Sequence, residues 1–148
     1  MLFGKYLLKD ILFMAIVVLL IANAHAATSI PPDVAGIWAT DGSEFRGYAL
    51  LKGQALYLDT DGIGASVGGD GKAVAGVRIL VTSYNPNTKS LNFDLTENSN
   101  AILRSTLTYD PIQKTLFSPK DSKQRFRRRF EALSADTRKS LGLELKAK

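Results

Sequence analysis

The stretch VAGIWATDGSEFRGYALL (34–51) contains two short apolar runs that meet at Asp41-Gly42. An Asp-Gly pair between two such runs is a strong local signal for a β-hairpin, because the tight hairpin turns need residues that accept a positive φ. The same alternation of apolar run and turn residues continues to residue 130, at intervals of about 8 to 12 residues. This spacing is typical of a β-sandwich or a β-barrel.

Eight candidate strands follow from this pattern, at 34–40, 44–51, 54–59, 73–83, 90–96, 101–109, 114–118 and 124–130. The short links between them favour antiparallel pairing of consecutive strands. Closing such a sheet on itself removes its unpaired edges. The sequence therefore predicts an all-β fold: a single antiparallel up-and-down barrel of about eight strands. A short C-terminal helix is predicted to follow, with Ser134 as its N-cap and an acid, Asp136, in its first turn.

The N-terminal 26 residues have the pattern of a secretory signal peptide. Lys5 and Lys9 form a positive leader, residues 11–22 are an unbroken apolar run, and residues 24–26 (AHA) are an A-x-A-like cleavage site. Cleavage after Ala24 fits the same rule, and an uncleaved N-terminal anchor is the alternative. We expect a bacterial periplasmic or secreted protein with no membrane span after cleavage.

Four regions follow along the chain: a signal peptide (1–26), a linker (27–33), the barrel domain (34–130), and a short helix with a tail (131–148). The chain contains no cysteine, which excludes both disulfides and the cysteine-linked lipid anchor of bacterial lipoproteins. A small exported domain without disulfides has to be stabilised by its core alone.

The residue inventory restricts the chemistry that the mature domain can perform. The single histidine, His25, lies in the predicted signal peptide, and there is no cysteine. Ser-His-Asp and Cys-His nucleophiles and most zinc, copper or haem sites are therefore excluded from the mature domain. A carboxylate pair or a Ser-Lys arrangement is the chemistry that remains, and neither has a local signature here. We expect no catalytic residues, no cofactor and a protein that is not an enzyme.

The arginine-rich stretch QRFRRRF (124–130) is predicted to be the last strand of the barrel. Alternate residues of a strand point to opposite faces, so Phe126, Arg128 and Phe130 share one face. The phenylalanines place that face in the core, which carries Arg128 inward. An inward arginine is costly unless it is paired or stacked. Trp38 lies on the first strand, which is next to the last strand in a closed barrel, and an indole ring is a favourable partner for a guanidinium.

Gly36-Ile37-Trp38 on the first strand, together with Arg128 on the last, resembles the G-x-W motif and closing arginine of lipocalins and other lipocalin-like (calycin-type) barrels. The resemblance implies that Gly36, Trp38 and Arg128 are structural and close the base of the barrel. It also implies a function in binding a ligand or a macromolecule. The chain departs from the family in lacking the usual disulfides and in being shorter than a typical lipocalin.

Two charged surfaces are the candidate partner-binding sites. The first is the outward face of the last strand, with Arg125, Arg127 and Arg129. These cations favour an acidic protein or an anionic envelope component, and export argues against nucleic acid. A solvated strand face without a partner is the alternative.

The second candidate is an acidic rim formed by Asp59, Asp61 and Asp70 around the Gly-rich segment 60–72, interpreted as a flexible loop at the barrel mouth. The spacing of the three acids also matches part of a calcium loop, although Ile63 and Val67 occupy ligand positions. Whether this segment binds calcium is left open, and we predict no metal site.

The sequence favours a non-enzymatic exported binding protein of the bacterial envelope, most readily an inhibitor or immunity-like protein that binds a protein or anionic surface partner. The aromatic side chains predicted to fill the barrel are Trp38, Tyr48, Tyr57, Phe93, Phe126 and Phe130. The alternative is a lipocalin-like carrier of a small apolar ligand, which needs an internal cavity of about 300 Å³ or more.

Overall fold

The structure, a computed structural model, describes residues 27–97 and 100–144. The predicted signal peptide (1–26) lies outside the described residues. Within them, no helix is both long enough and apolar enough to cross a membrane.

Nine strands and one helix make up the described chain. The strands are β1 (Gly36–Thr40), β2 (Glu44–Arg46), β3 (Ala49–Leu58), β4 (Ile63–Asp70), β5 (Val74–Asn85), β6 (Ser90–Glu97), β7 (Asn100–Asp110), β8 (Thr115–Ser118) and β9 (Asp121–Phe130). The helix is α1 (Ala135–Ser140). It begins as predicted, because the Ser134 side chain accepts a hydrogen bond from the backbone N–H of Thr137.

The strands form a closed antiparallel barrel. Consecutive strands pair from β3 to β9, and β1 closes the ring by pairing with β9 on one side and β3 on the other. The barrel therefore has eight strands, and β2 is an additional strand that pairs with the first residues of β3. The predicted fold class is confirmed, including the short C-terminal helix.

The strand β4 corrects one expectation from the sequence. The segment 60–72 is not a flexible loop, because residues 63–70 pair along their length with both β3 and β5. Two of the three glycines of β4 are required by close packing of backbones: a Cβ at Gly64 would overlap the carbonyl oxygen of Tyr57, and one at Gly69 would approach that of Leu51. Glycine is a turn residue in many sequences, but here it permits a strand to lie close to its neighbour.

The barrel interior is an apolar cluster, and Trp38 and Arg128 lie near one end of it. The buried side chains of this cluster include Trp38, Leu56, Leu58, Ile79, Val81, Leu91, Phe93, Leu107 and Leu116, and Phe126 packs against it. Residues 27–35 cover the same end: Ile30 and Val34 are part of the cluster, and the indole N–H of Trp38 donates to the carbonyl of Val34. We call this the closed end of the barrel.

A second apolar cluster lies outside the barrel wall. The outward side chains of β1 and β3 are buried there, among them Ile37, Ala39 and Tyr57, together with Leu143, which follows α1. Because residues 55–58 of β3 are buried on both faces, this half of the strand is apolar throughout, and alternation in the sequence does not show which face lies inside. Tyr57 was predicted to fill the barrel and instead belongs to this outer cluster. Tyr48 was also predicted to be interior, and its side chain is 49% exposed.

Phe130 is a further correction, and its cause is a β-bulge. Ile37 of β1 opposes Phe130 of β9, whereas the adjacent Trp38 opposes Arg128, so β9 has one extra residue at this point. An extra residue reverses the alternation of faces beyond it. Phe126 and Arg128 therefore point inward as predicted, while Phe130 packs in the outer cluster.

Candidate functional site

The closed end of the barrel is held by Arg128, the residue singled out with Gly36 and Trp38. The guanidinium carbon of Arg128 lies 5.6 Å from the centre of the Trp38 ring. Its Nη2 donates to the carbonyls of Pro32, Ala35 and, at 3.0 Å, Glu131. The arginine thus ties the segment before β1 to the segment after β9, which is a structural role.

Gly36 is required at this closure for two reasons. Its φ of +126° lies in a region that residues with a side chain rarely adopt. A Cβ at this position would also overlap the carbonyl oxygen of Phe130 on the neighbouring strand. Together with Trp38 and Arg128, this glycine brings the first and last strands into contact.

The three outward arginines of β9 have different surroundings. Arg125 is half-buried: its guanidinium carbon lies 4.4 Å from the centre of the Phe117 ring, and its Nη1 donates to Thr115 at 2.9 Å and to Asp110 at 3.3 Å. Arg127 is exposed and forms an ion pair with the exposed Asp41 at 3.1 Å. An exposed pair of this kind restrains an arginine only weakly.

Arg129 is the third arginine, and it lies over an aromatic group. Its guanidinium carbon is 5.9 Å from the centre of the Phe45 ring. The ring of Phe130 has edge-to-face contacts with Phe45 at 5.9 Å and with Tyr48 at 4.7 Å. We call Arg127, Arg129, Phe45, Tyr48 and Phe130 the arginine–aromatic face. Within the described residues, Arg129 has no carboxylate within ion-pair distance.

A cleft of about 300 Å³ adjoins this face, between the β2–β3 hairpin and α1. Its lining residues include Arg46, Tyr48, Tyr57, Ser134 and Asp136. The Tyr57 hydroxyl is not available to a partner, since it donates to the carbonyl of Tyr48 at 2.6 Å and accepts from the N–H of Leu50 at 3.1 Å. Burial raises the pKa of Tyr57, and the hydrogen bond from Leu50 opposes this shift. Tyr57 therefore fixes the hairpin that carries Tyr48.

Asp59 and Asp61 are paired with a residue that the sequence analysis did not single out. Arg138 of α1 donates to Asp59 at 2.6 Å and to Asp61 at 3.0 Å. Partial burial disfavours the charged guanidinium, but the hydrogen bonds to Asp59 and Asp61 outweigh it and raise the pKa of Arg138. The two aspartates thus anchor α1 to the β3–β4 turn.

Asp70 lies at the opposite end of β4 from the other two aspartates. At about 3.3 Å per residue, the strand separates them by roughly 20 Å or more. Its carboxylate accepts hydrogen bonds from the N–H groups of Lys72 and Ala73 in the β4–β5 turn, and those from Ala73 and Lys72 lower its pKa. The three aspartates consequently do not form one rim or one calcium loop. In the described part of the chain, no group of three acidic or histidine side chains is arranged to hold a metal ion.

The barrel interior is open at the end opposite Arg128, in a small cup of about 180 Å³. Apolar side chains form most of its wall, including Leu56, Phe93, Leu95 and Phe126, and the hydroxyls of Ser66, Ser105 and Ser118 lie among them. Pockets that enclose a whole small ligand usually measure about 300 Å³ or more. The cup is therefore the size of a side chain or the end of a chain rather than of a complete ligand.

Sequence reasoning missed Arg46, Tyr48 and Arg138 as site residues. Tyr48 follows Gly47, and a glycine is a common turn residue in a sequence. The structure confirms a turn there, with a φ of 59° at Gly47, so this glycine was a signal that Tyr48 lies exposed at a hairpin tip. Nothing local in the sequence pairs Arg138 with Asp59, since the two are 79 residues apart.

Comparisons with known proteins add no family assignment, because no protein-family model, curated protein or solved structure matches this chain. The arrangement of side chains is thus the whole basis for a functional conclusion.

Proposed function

We propose that this chain is a non-enzymatic binding protein of the bacterial envelope, and that it binds a protein or anionic surface partner through the arginine–aromatic face. It would act as an inhibitor or immunity-like protein. The supporting observation is the exposure of Tyr48 and Arg129 on a base of packed aromatic rings. Tyrosine and arginine are enriched at the energetic centres of protein interfaces.

The rigidity of this face adds to the argument. Phe130 is held in the outer cluster, and Tyr48 is held against it, so neither ring has to be ordered when a partner binds. Preorganised side chains lose less entropy on binding. Arg127 and Arg129 add positive charge, which attracts an acidic partner and speeds its association.

The barrel closure supports a lipocalin-like relationship as part of the proposal. Its support is that Trp38 on the first strand opposes Arg128 on the last, with the guanidinium carbon 5.6 Å from the centre of the indole ring. A relationship of this kind is compatible with either a protein partner or a ligand. The part of the interior next to the closed end is filled by buried side chains, which favours the protein partner.

A small apolar-ligand carrier is the second candidate. The open cup, with its wall of leucine and phenylalanine side chains, favours it. Its volume of about 180 Å³ limits the ligand to a small apolar group or to one end of a longer chain.

Native mass spectrometry of the protein isolated gently from an envelope extract tests both candidates. The proposal predicts a protein-sized adduct on the unaltered chain, whereas a carrier would retain a small extra mass. The double variant Arg127→Glu/Arg129→Glu should lose the adduct, because it reverses the charge of the arginine–aromatic face. The matched control is Lys72→Glu/Lys114→Glu, which makes the same charge change at two exposed turns and should keep the adduct.

Vesicles with phosphatidylglycerol provide the test for an anionic envelope component. Sedimentation with these vesicles, reduced in Arg127→Glu/Arg129→Glu but not in the control, would identify a lipid surface as the partner. Equal adducts and equal sedimentation for both variants would overturn the assignment to the arginine–aromatic face.

A further inference from the structure

Among the residues that the structure describes, one edge of β7 has no partner strand over most of its length. β8 pairs only with the last residues of β7, from Thr108 to Asp110. After Ser118 the chain turns back into β9, so within the described residues nothing pairs with the β8 side of residues 100–107. The β8–β9 hairpin is thus shorter than its neighbour, and a notch opens in the barrel wall at the end opposite Arg128.

The backbone groups that face this notch can be identified. The N–H of Tyr109 donates to the carbonyl of Lys89, so this residue points its backbone groups toward β6. Consecutive residues of a strand point these groups in opposite directions, and the register with β6 is regular from Leu103 to Thr108. Arg104 and Thr106 therefore direct their N–H and C=O groups into the notch. Unpaired groups of this kind are a template for another strand.

The space beside this edge has the form that an added strand needs. A cavity of about 440 Å³ lies directly between Leu103–Thr106 and the turn at Ser118, Pro119 and Lys120. Ser105, Thr106 and Ser118 line both this cavity and the apolar cup inside the barrel, so the two spaces meet. A strand in the notch would send every second side chain into the cup and the others outward.

We propose that this free edge of β7 binds an extended peptide segment of another protein as an added β-strand. Leu107 and Phe126 line the inner side of the notch, so the bound segment needs apolar side chains on that side. On the outer side, Arg104 and Lys120 are exposed, and the side chain of Arg104 is 76% accessible although it is paired with Asp94. The segment that fits therefore alternates apolar and acidic residues.

This site is separate from the arginine–aromatic face, which lies on β2, the β2–β3 turn and β9, and it does not depend on the proposed function. Main-chain hydrogen bonds would supply the affinity, and the cup would select the apolar side chains.

Amide hydrogen exchange tests the free edge first. In the unaltered protein, the N–H groups of Arg104 and Thr106 should exchange quickly, while those of Ser105 and Leu107 should be protected by β6. Protection of all four in the monomer would overturn the proposal. Protection that appears only as the protein concentration rises, with dimers in light scattering, would also overturn it, because a second copy would then occupy the edge.

A capped heptapeptide in which glutamate alternates with leucine or valine is the binding probe, followed by NMR titration. We expect protection of Arg104 and Thr106 and shift changes that include Phe126. Two N-methylated versions give the sharpest test, one methylated at the glutamates and the other at the apolar residues. Since alternate residues of a strand face opposite edges, one version should bind at least about tenfold more weakly and the other about as well as the parent.

Equal binding by the two methylated peptides, or no shift changes with the parent peptide, would overturn an added strand. Arg104→Pro removes one N–H from the edge and should weaken binding, whereas Arg104→Thr keeps that N–H and serves as its control. Arg127→Glu/Arg129→Glu should bind the peptide normally, which separates a failure of this site from a failure of the proposed function.

Discussion

Arg128 opposes Trp38 across the β1–β9 seam and at the same time donates to carbonyls on both sides of the barrel closure. One side chain therefore links the residues that precede β1, the first strand and the residues that follow β9. All three hydrogen bonds come from Nη2, and the planar guanidinium places this nitrogen at the carbonyls while its carbon lies over the indole ring.

Replacing this residue should weaken the whole fold. We expect Arg128→Met to lower the free energy of unfolding by about 2–4 kcal/mol, because the carbonyls of Pro32, Ala35 and Glu131 lose their donor. Urea unfolding followed by Trp38 fluorescence measures the change. The control Arg127→Met removes only an exposed ion pair and should cost about 0–1 kcal/mol. Equal losses for the two variants would contradict the structural role of Arg128.

The attachment of α1 depends on Arg138. We expect Arg138→Met to lower the free energy of unfolding by about 1–3 kcal/mol, since its hydrogen bonds to Asp59 and Asp61 are lost. Hydrogen exchange at Thr137 and Leu141 should accelerate by more than that in the barrel strands.

The double variant Asp59→Asn/Asp61→Asn should act through the same contacts. Its effect and that of Arg138→Met should consequently not add in the triple variant. Lys139→Met, the exposed neighbour, should leave exchange unchanged. Additive effects would show that the aspartates and Arg138 stabilise the protein independently.

Two turn aspartates should make the fold sensitive to acid. Hydrogen bonds from Gln113 and Ile112, with a contribution from Arg125, lower the pKa of Asp110, and those from Ala73 and Lys72 lower that of Asp70. A carboxyl whose pKa is lower in the folded state stabilises the fold above its unfolded pKa of about 3.9 and loses this contribution as the pH falls through its folded pKa.

The variant Asp70→Asn/Asp110→Asn should therefore lose less stability than the unaltered protein between about pH 5 and pH 2. An asparagine oxygen can still accept the turn hydrogen bonds, so the fold should remain intact. The urea midpoint at both pH values is the measurement. An unchanged acid sensitivity would assign it to other carboxyls.

The glycines of β4 provide a matched pair of substitutions. Gly64→Ala should be strongly destabilising, by about 2 kcal/mol or more, because the new methyl group would overlap the carbonyl oxygen of Tyr57. Gly68→Ala should be nearly neutral, within about 1 kcal/mol, since its nearest atom, the carbonyl oxygen of Gly53, would be 4.0 Å away. Thermal unfolding compares the two variants directly. If Gly64→Ala were as stable as Gly68→Ala, the expected overlap with Tyr57 would be contradicted, because β3 and β4 could then move apart without loss of stability.

Local alternation predicted most of the strands, but the hairpin expected at Asp41-Gly42 was wrong, because β1 pairs with β3 and β9 rather than with β2. The inward position of Arg128 beside Trp38 needed only the period of a strand and the closure of a barrel. The strand β4 was missed because glycine has two uses, in turns and at close backbone contacts, and the Cβ space at Gly64 depends on a neighbouring strand.

The candidate site was less predictable because its geometry depends on distant residues. A bulge opposite Ile37 turned Phe130 outward, where it became the base for Tyr48. The role of Asp59 depends on Arg138, which no local pattern connects to it. The stripe of arginines was visible in the sequence, but the difference between the half-buried Arg125 and the exposed Arg129 arises only from packing.

The closure by Arg128 has a consequence for the timing of folding. Arg128 and Ala35, which it binds, are 93 residues apart in the chain. A polypeptide that emerges N-terminus first cannot make this bond, or pair β1 with β9, until nearly all of the barrel sequence has appeared. Contacts between such distant segments slow folding, because the intervening chain must be ordered first. During synthesis the unpaired edges of β1 and β9 are therefore the last to be covered, and this interval is when the chain is most exposed to aggregation.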